Sequence, residues 1–405
     1  MHRKCERCAV DAGKKLRYDG ENEGGRICVR IGNARVFQNG AFVAGGLAYT
    51  DVVTAADTDV RGGLDAEGCR IIPGLVDIHS HGAVGADASD GAAEMLPELA
   101  RYYAAGGVTS WCPTTMTLDE TELIRALRVL REFRSPADGA RVAGVNLEGP
   151  FLNRAKCGAQ DPDLCRMPDM ALFDRLCDAA GGLVRLITVA PELPGAPDFI
   201  RAASRTCVVS LGHTAADYDT AMAAYDAGAR HATHLFNAMP PLGHRAPGVI
   251  AAACDAGATV ELIADGLHVH PAVVRLTYQL FRDKLVLVSD SARCAGMPDG
   301  DYTLGGQPIT LCGGRATLRG TDTLAGSAVH LMEALRRAVS FGVPPEAAVT
   351  AATLTPARII GRDGEIGTLA PGKRADFVLL DEAWNVRAVF LGGRQIAGAP
   401  LRQGP

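Results

Sequence analysis

The sequence lacks an excess of charge of either sign: its 405 residues carry 41 Lys+Arg against 46 Asp+Glu, a formal net charge of −5 at pH 7. That balance argues against a nucleic-acid binder, which concentrates basic side chains. Long hydrophobic runs are missing too. Apolar stretches such as Ala251–Cys254 and Leu285–Val288 fall far short of the ~20 residues that a membrane-spanning helix needs. The charged opening Met1-His2-Arg3-Lys4-Cys5-Glu6-Arg7-Cys8 has no signal-peptide core behind it, so a cytoplasmic location and no membrane partner are expected. Disulfide-framework spacing is absent. The 12 cysteines are scattered through apolar runs, as at Cys112, Cys207 and Cys254, which fits reduced, buried thiols. Cys5 and Cys8 have metal-ligand spacing but lack a second pair, and residues 1–25 read as a flexible leader.

What is present is a globular composition, 47% hydrophobic and 21% charged, enough for a sizeable core. Two regions share a texture of short strands and turns. Residues 26–72 contain Ile27–Ile31, Ala34–Phe37, the Asn39-Gly40 hairpin signal, Phe42–Val43 and Asp51–Ala55; residues 365–402 contain Phe377–Leu380 and Val386–Leu391 before a Gly392-Gly393 turn. Together they predict a small β-sandwich domain built from both chain ends.

Residues 73–364 alternate apolar strand-like runs with helical segments, the texture of an α/β protein with a (β/α)8 TIM-like barrel. The expected strands are Ile71–Ile78, Val108–Pro113, Val142–Leu147, Val184–Ala190, Cys207–Leu211, Ala232–Phe236, Val260–Ala264 and Leu285–Ser289. Most are continuously apolar, as strands covered on both faces must be. Helices are expected over Asp119–Phe133 and Ala215–Ala227 from their spacing and caps. The stripe Ala328–Val339 reads as core packing of a late helix.

In such a barrel the working groups stand where strands end. Strand one closes on His79-Ser80-His81, whose i and i+2 side chains share a face and suit zinc or a similar divalent ion. Alone, that pair reads more readily as surface or hydrogen-bonded histidines. Glu148 closes strand three, His213 follows strand five, His234 lies on strand six, and Asp290 closes strand eight. Four histidines and two carboxylates at five strand ends point to a metal hydrolase site, in which the ion supplies hydroxide near neutral pH and polarises a carbonyl. Asp290 suits a general base and acid, with metal ligation as its other reading. His231, His244, His270 and His330 read as ordinary structural or surface histidines.

The chain resembles the N-acetylglucosamine-6-phosphate deacetylases of the amidohydrolase superfamily from about residue 26 to 398. The likeness is carried by Pro73–Gly82, Leu147–Leu152, Gly212-His213-Thr214, Thr233–Met239, Ile263–Val269 and Gly364–Asp376. It implies that Glu148, His213 and His234 hold the principal metal, with His79 and His81 able to hold a second. Zinc is the first choice, with iron, manganese or cobalt as alternatives. It implies that Asp290 is the base and acid, that Asn237, Ala238, Arg245 and His268 grip the sugar phosphate, and that Ala159, Leu324, Ala325 and Gly326 line the substrate. A homodimer follows from the resemblance, with Arg245 reaching the neighbouring site. The implied reaction removes acetate from N-acetyl-D-glucosamine 6-phosphate; the galactosamine epimer is the alternative substrate, and a non-catalytic scaffold the remote one.

Three features depart from the family pattern. Gln160 stands where some members have histidine and is a possible carbonyl donor, leaving the number of ions open. Ser289-Asp290-Ser291 replaces the more usual Thr-Asp-Ala. Residues 1–25 have no counterpart.

Overall fold

The computed structural model describes residues 28–57 and 63–404; the Cys5/Cys8 pair lies outside them. Eight strands succeed one another around a barrel: β1 (Leu75–Ser80), β2 (Val108–Thr115), β3 (Val145–Glu148), β4 (Val184–Val189), β5 (Val208–Leu211), β6 (His231–Ala232), β7 (Thr259–Ile263) and β8 (Leu285–Val288). Each pairs in parallel with the next. The seam closes where the Asp290 N–H donates to the His79 carbonyl at 2.9 Å and the Ser289 N–H donates to the Asp77 carboxylate at 3.3 Å. β2, β3, β5 and β8 are buried along their whole length, which accounts for the missing polar alternation.

Two expected strands are cut differently. Ile71–Ile78 divides at Gly74: Arg70–Pro73 joins another sheet, and β1 starts at Leu75. A Cβ on Gly74 would stand 2.1 Å from Thr109 Oγ1, so only glycine lets the chain cross between sheets so close to β2. Strand six, expected over Ala232–Phe236, ends at Ala232. His234 and Phe236 have φ of 27° and 78°, which an extended ladder does not tolerate.

The helices follow their signals. Asp119 caps Glu120–Glu132 by accepting from the Thr121 and Glu122 N–H groups, and Asp217 caps Tyr218–Ala227. Leu331–Ser340 buries Leu331, Met332, Ala334, Leu335 and Ala338.

Both chain ends contribute to one nine-stranded sheet, in which Arg70–Pro73 lies between Val29–Gln38 and the antiparallel Phe377–Leu380. Its central strands bury apolar side chains on both faces. Ile72, Val378, Leu380, Val389 and Leu391 pack into the barrel core, while their neighbours Ile71, Phe377, Leu379, Ala388 and Phe390 enclose a second core with Ile31, Val36 and Leu47. A third sheet, absent from the sequence-based expectations, follows β8 as the antiparallel strands Gly300–Leu304, Gln307–Cys312 and Arg315–Leu318.

His330 begins Leu331–Ser340 by accepting from the Met332 N–H at Nδ1 (3.3 Å), while Nε2 donates to the Tyr103 carbonyl at 3.2 Å. Both ring nitrogens are used by the neutral form, and burial pushes the ring down to about 4. The folded pKa is depressed below the unfolded value near 6.5, so unfolding takes up a proton in this window. Stability is therefore lost as pH falls from about 6.5 to 4, by on the order of 2 kcal/mol once partial exposure is allowed for. Urea unfolding as a function of pH should show this loss in the wild type and a smaller one in H330N, which keeps a capping acceptor without a titrating ring.

Candidate metal centre

Local backbone geometry brings the strand-end residues together. Glu148 is the last residue of β3, and His79 lies within β1 with His81 just past its end. His213, His234 and Asp290 each stand two residues beyond β5, β6 and β8, with φ of 47°, 27° and 48°. A left-handed residue at that position reverses the chain direction and turns the side chain back over the barrel mouth. For a non-glycine this costs of order 1–2 kcal/mol each.

The four histidines meet on Glu148. Its Oε1 lies 2.9 Å from His234 Nε2, 3.1 Å from His213 Nε2 and 3.4 Å from His79 Nε2, and its Oε2 lies 3.2 Å from His81 Nε2. Asp290 Oδ1 faces His81 Nε2 at 3.3 Å and His79 Nε2 at 3.6 Å. The His213 and His234 Nε2 atoms are only 3.0 Å apart. All six residues are buried, Glu148 being 3% exposed.

The partners on the far side of each ring decide what these nitrogens offer. His79 Nδ1 faces Glu261 Oε2 at 2.8 Å, His81 Nδ1 faces the Thr114 carbonyl at 3.2 Å, and His213 Nδ1 faces the Lys156 carbonyl at 2.9 Å. These partners only accept, so Nδ1 carries the hydrogen and Nε2 turns a lone pair inward. Lone pairs aimed at a carboxylate repel unless a cation lies among them. Two triads, His79/His81/Glu148 and Glu148/His213/His234, each bring their ligand atoms within 4.8 Å of one another. The donor set fits one or two divalent ions sharing Glu148.

Electrostatics agree with the geometry. Burial alone disfavours a charged His81, yet Asp290 and Glu148 outweigh it and push the ring up to about 10. Burial would raise Glu148, but His79 and His213 hold it well below the usual carboxylate range. The same two-way contest, won by His79 and His81, keeps Asp290 low. Protons and metal ions compete for these nitrogens.

The cluster forms the floor of a cavity of about 460 Å³. Ala159, Gln160, Asn237, Ala238, His268, Leu324 and Gly326 line it, as does Asp290. His79 lies beneath, and Ala325 is fully buried with its N–H on the Ala316 carbonyl. Arg245 is exposed on its loop, donating to His244 Nε2 at 2.7 Å, and does not line the cavity of its own chain. The Gln160 carbonyl accepts from the Thr117 N–H at 2.7 Å, which turns its amide nitrogen onto Glu148 Oε2. His268 Nδ1 is held by Asp265 at 2.7 Å.

Sequence reasoning missed Lys156 and the Asp322–Thr323 turn, which line the cavity, and Glu261 behind His79. Only Glu261 carried a signal: a charge inside the apolar run Val260–Ala264, the same clue that singled out Glu148. His270 and His330 are helix caps, as ordinary histidines can be.

A parallel barrel whose strand ends aim imidazole lone pairs and carboxylates at one point defines a metal-dependent hydrolase. The model of the amidohydrolase family matches residues 70–396, and the chain belongs to that family. It is 40% identical over 334 residues to the N-acetylgalactosamine-6-phosphate deacetylase of Escherichia coli O157:H7, covering 82% of this chain and 88% of the relative. It is 37% identical over 318 residues to the N-acetylglucosamine-6-phosphate deacetylase of Bacillus subtilis strain 168, covering 76% and 80%. A solved structure of N-acetyl-D-glucosamine-6-phosphate deacetylase from Mycobacterium smegmatis, in complex with N-acetyl-D-glucosamine-6-phosphate, aligns with a TM-score of 0.86 at 34% identity, covering 91% of this chain and 99% of that one. Within the amidohydrolases, these relatives mark the branch of N-acetylated amino-sugar phosphate deacetylases.

Removing the shared carboxylate should dismantle the centre while leaving the barrel intact. In E148A, divalent-metal affinity should fall by more than the roughly 10–100-fold typical of losing a supporting partner. Elemental analysis after dialysis against defined zinc checks this, and far-UV circular dichroism should be unchanged.

Proposed function

We propose that the protein removes acetate from N-acetyl-D-glucosamine 6-phosphate, giving D-glucosamine 6-phosphate. The observation that carries this reading is the convergence of Glu148, four histidines and Asp290 on the floor of a cavity sized for one small ligand. We assign Glu148, His213 and His234 to the principal metal and His79 and His81 to a second, with zinc as the first candidate. A divalent ion held there makes hydroxide available near neutral pH and polarises the acetamide carbonyl.

The chain's own groups do the rest. Asp290, ionised and at the cavity floor, accepts the proton of the attacking water and returns it to the departing nitrogen. Gln160, with its amide turned by Thr117, is oriented to offer a donor beside Glu148. Asn237 and the Ala238 region lie where the phosphate would be gripped, with His268, its Nδ1 held by Asp265, beside them. Ala159, Leu324 and Gly326 form apolar and backbone walls, with Ala325 packed behind.

The phosphate lacks a guanidinium fork from its own chain, because among the described residues lining the cavity the Lys and Arg side chains are represented by Lys156 alone. Arg245, exposed and away from that cavity, is assigned to the site of a second copy in a homodimer. Cytoplasmic work on a phosphorylated sugar is in keeping with the free cysteines among the described residues.

The galactosamine epimer is the second reading, favoured by the 40% identity to the galactosamine-specific relative. Steady-state acetate release from both epimers decides between them. Two charge-assisted phosphate contacts should make kcat/KM for unphosphorylated N-acetylglucosamine lower by roughly 10²–10⁴-fold; equal turnover of the two would refute the phosphate assignments. D290N should retain metal and lose about 10²–10⁴-fold in kcat. R245A should raise KM with little change in kcat, and mixing it with D290N should restore one normal site per hybrid dimer.

A further inference from the structure

Glu261 lies in the middle of β7 with no exposed surface. Its Oε2 accepts from His79 Nδ1 at 2.8 Å and from the His234 N–H at 3.1 Å, and its Oε1 faces His231 Nε2 at 3.1 Å. His231 is held from behind by Thr259 Oγ1 at 2.7 Å, and that hydroxyl donates to the Arg230 carbonyl at 3.2 Å. One buried carboxylate therefore touches a residue from each of the two ligand triads. On the inward side, His79 Nε2 is buried and makes no hydrogen bond.

The tautomer of His79 is contested. Glu148 and Asp290 lie 3.4 and 3.6 Å from Nε2, and each carboxylate favours a proton on that nitrogen. A proton there leaves His79 no lone pair to give a cation. Glu261 draws the proton to the opposite nitrogen at the shorter distance of 2.8 Å. We propose that Glu261, anchored by His231, is a positioning residue that forces His79 into its Nδ1–H tautomer and fixes the backbone of His234, so that both triads present ligands at once.

This inference rests on the metal-centre reading above. Its test is cobalt(II) titration of the metal-stripped full-length protein, read by stoichiometry, affinity and the visible d–d spectrum. E261L, which has no acceptor, should weaken binding of the equivalent that uses His79 by about 100-fold, the upper end for loss of a supporting partner, and change the spectrum. E261Q should remain within about 10-fold of wild type, because its carbonyl oxygen can serve His79 and His234 while its amide serves His231. In an H79A background E261L should add only a small further loss, through the His234 N–H it no longer holds. Should E261L fail to fold, E261D, one methylene shorter, carries the same expectation of weakened binding and an altered spectrum. Unchanged affinity and spectrum in the folded E261L or E261D variant, or a full additional loss in H79A, overturns the proposal. A wild-type protein that takes up no cobalt overturns the metal-centre reading and this inference with it.

Discussion

The Glu148 carboxylate, ringed by imidazole nitrogens that face it with lone pairs, is the constraint to which the rest of the molecule answers. With neither a metal ion nor protons among them, that arrangement sets acceptor against acceptor on a largely buried cavity floor, where each unpaired group costs about 1–3 kcal/mol. The fold holds it anyway, because His79, His81 and His213 are each fixed from behind by a carbonyl or a carboxylate. Stability is thereby spent on keeping the centre ready for its ion.

The backbone shows the same commitment. Non-glycine residues at His213, His234 and Asp290 adopt left-handed conformations at the same offset from three different strands. Glu192, just after β4, ties the loop after β5 to the loop after β3: it accepts from Asn153 at 2.7 Å on the latter and from Thr214 and the Ala215 N–H, each at 2.5 Å, on the former. The barrel thus supplies position twice, through its strands and through side chains that tie neighbouring loops together.

How much of this was legible in the sequence depended on how local each signal was. The eight strands and the cluster of polar residues at their ends could be read because apolar runs ended in residues too polar to be buried without a reason, as at His79, Glu148 and Asp290. Gly74 looked like part of one continuous strand because the proximity of Thr109, which breaks that strand in two, is a tertiary fact. The three-stranded sheet after β8 carried its turn glycines, Gly305-Gly306 and Gly313-Gly314, in plain view, yet its short strands lie outside the repeating βα texture. His231 looked ordinary because its importance comes from Glu261, thirty positions away. The residues around Arg245 placed it only on a loop, the resemblance alone assigning it to a neighbouring site, because among the described residues of its own chain its hydrogen-bonding partner is His244 alone.

The chain-end sheet carries a consequence for biosynthesis. Arg70–Pro73 is flanked by Phe377–Leu380, a strand made some three hundred residues later. At 5–20 residues per second, a ribosome takes roughly 15–60 s to deliver it. Through that interval Ile72, which feeds into the barrel from this sheet, waits beside an open edge. Until Phe377–Leu380 arrives, that edge has no native antiparallel partner to cover it.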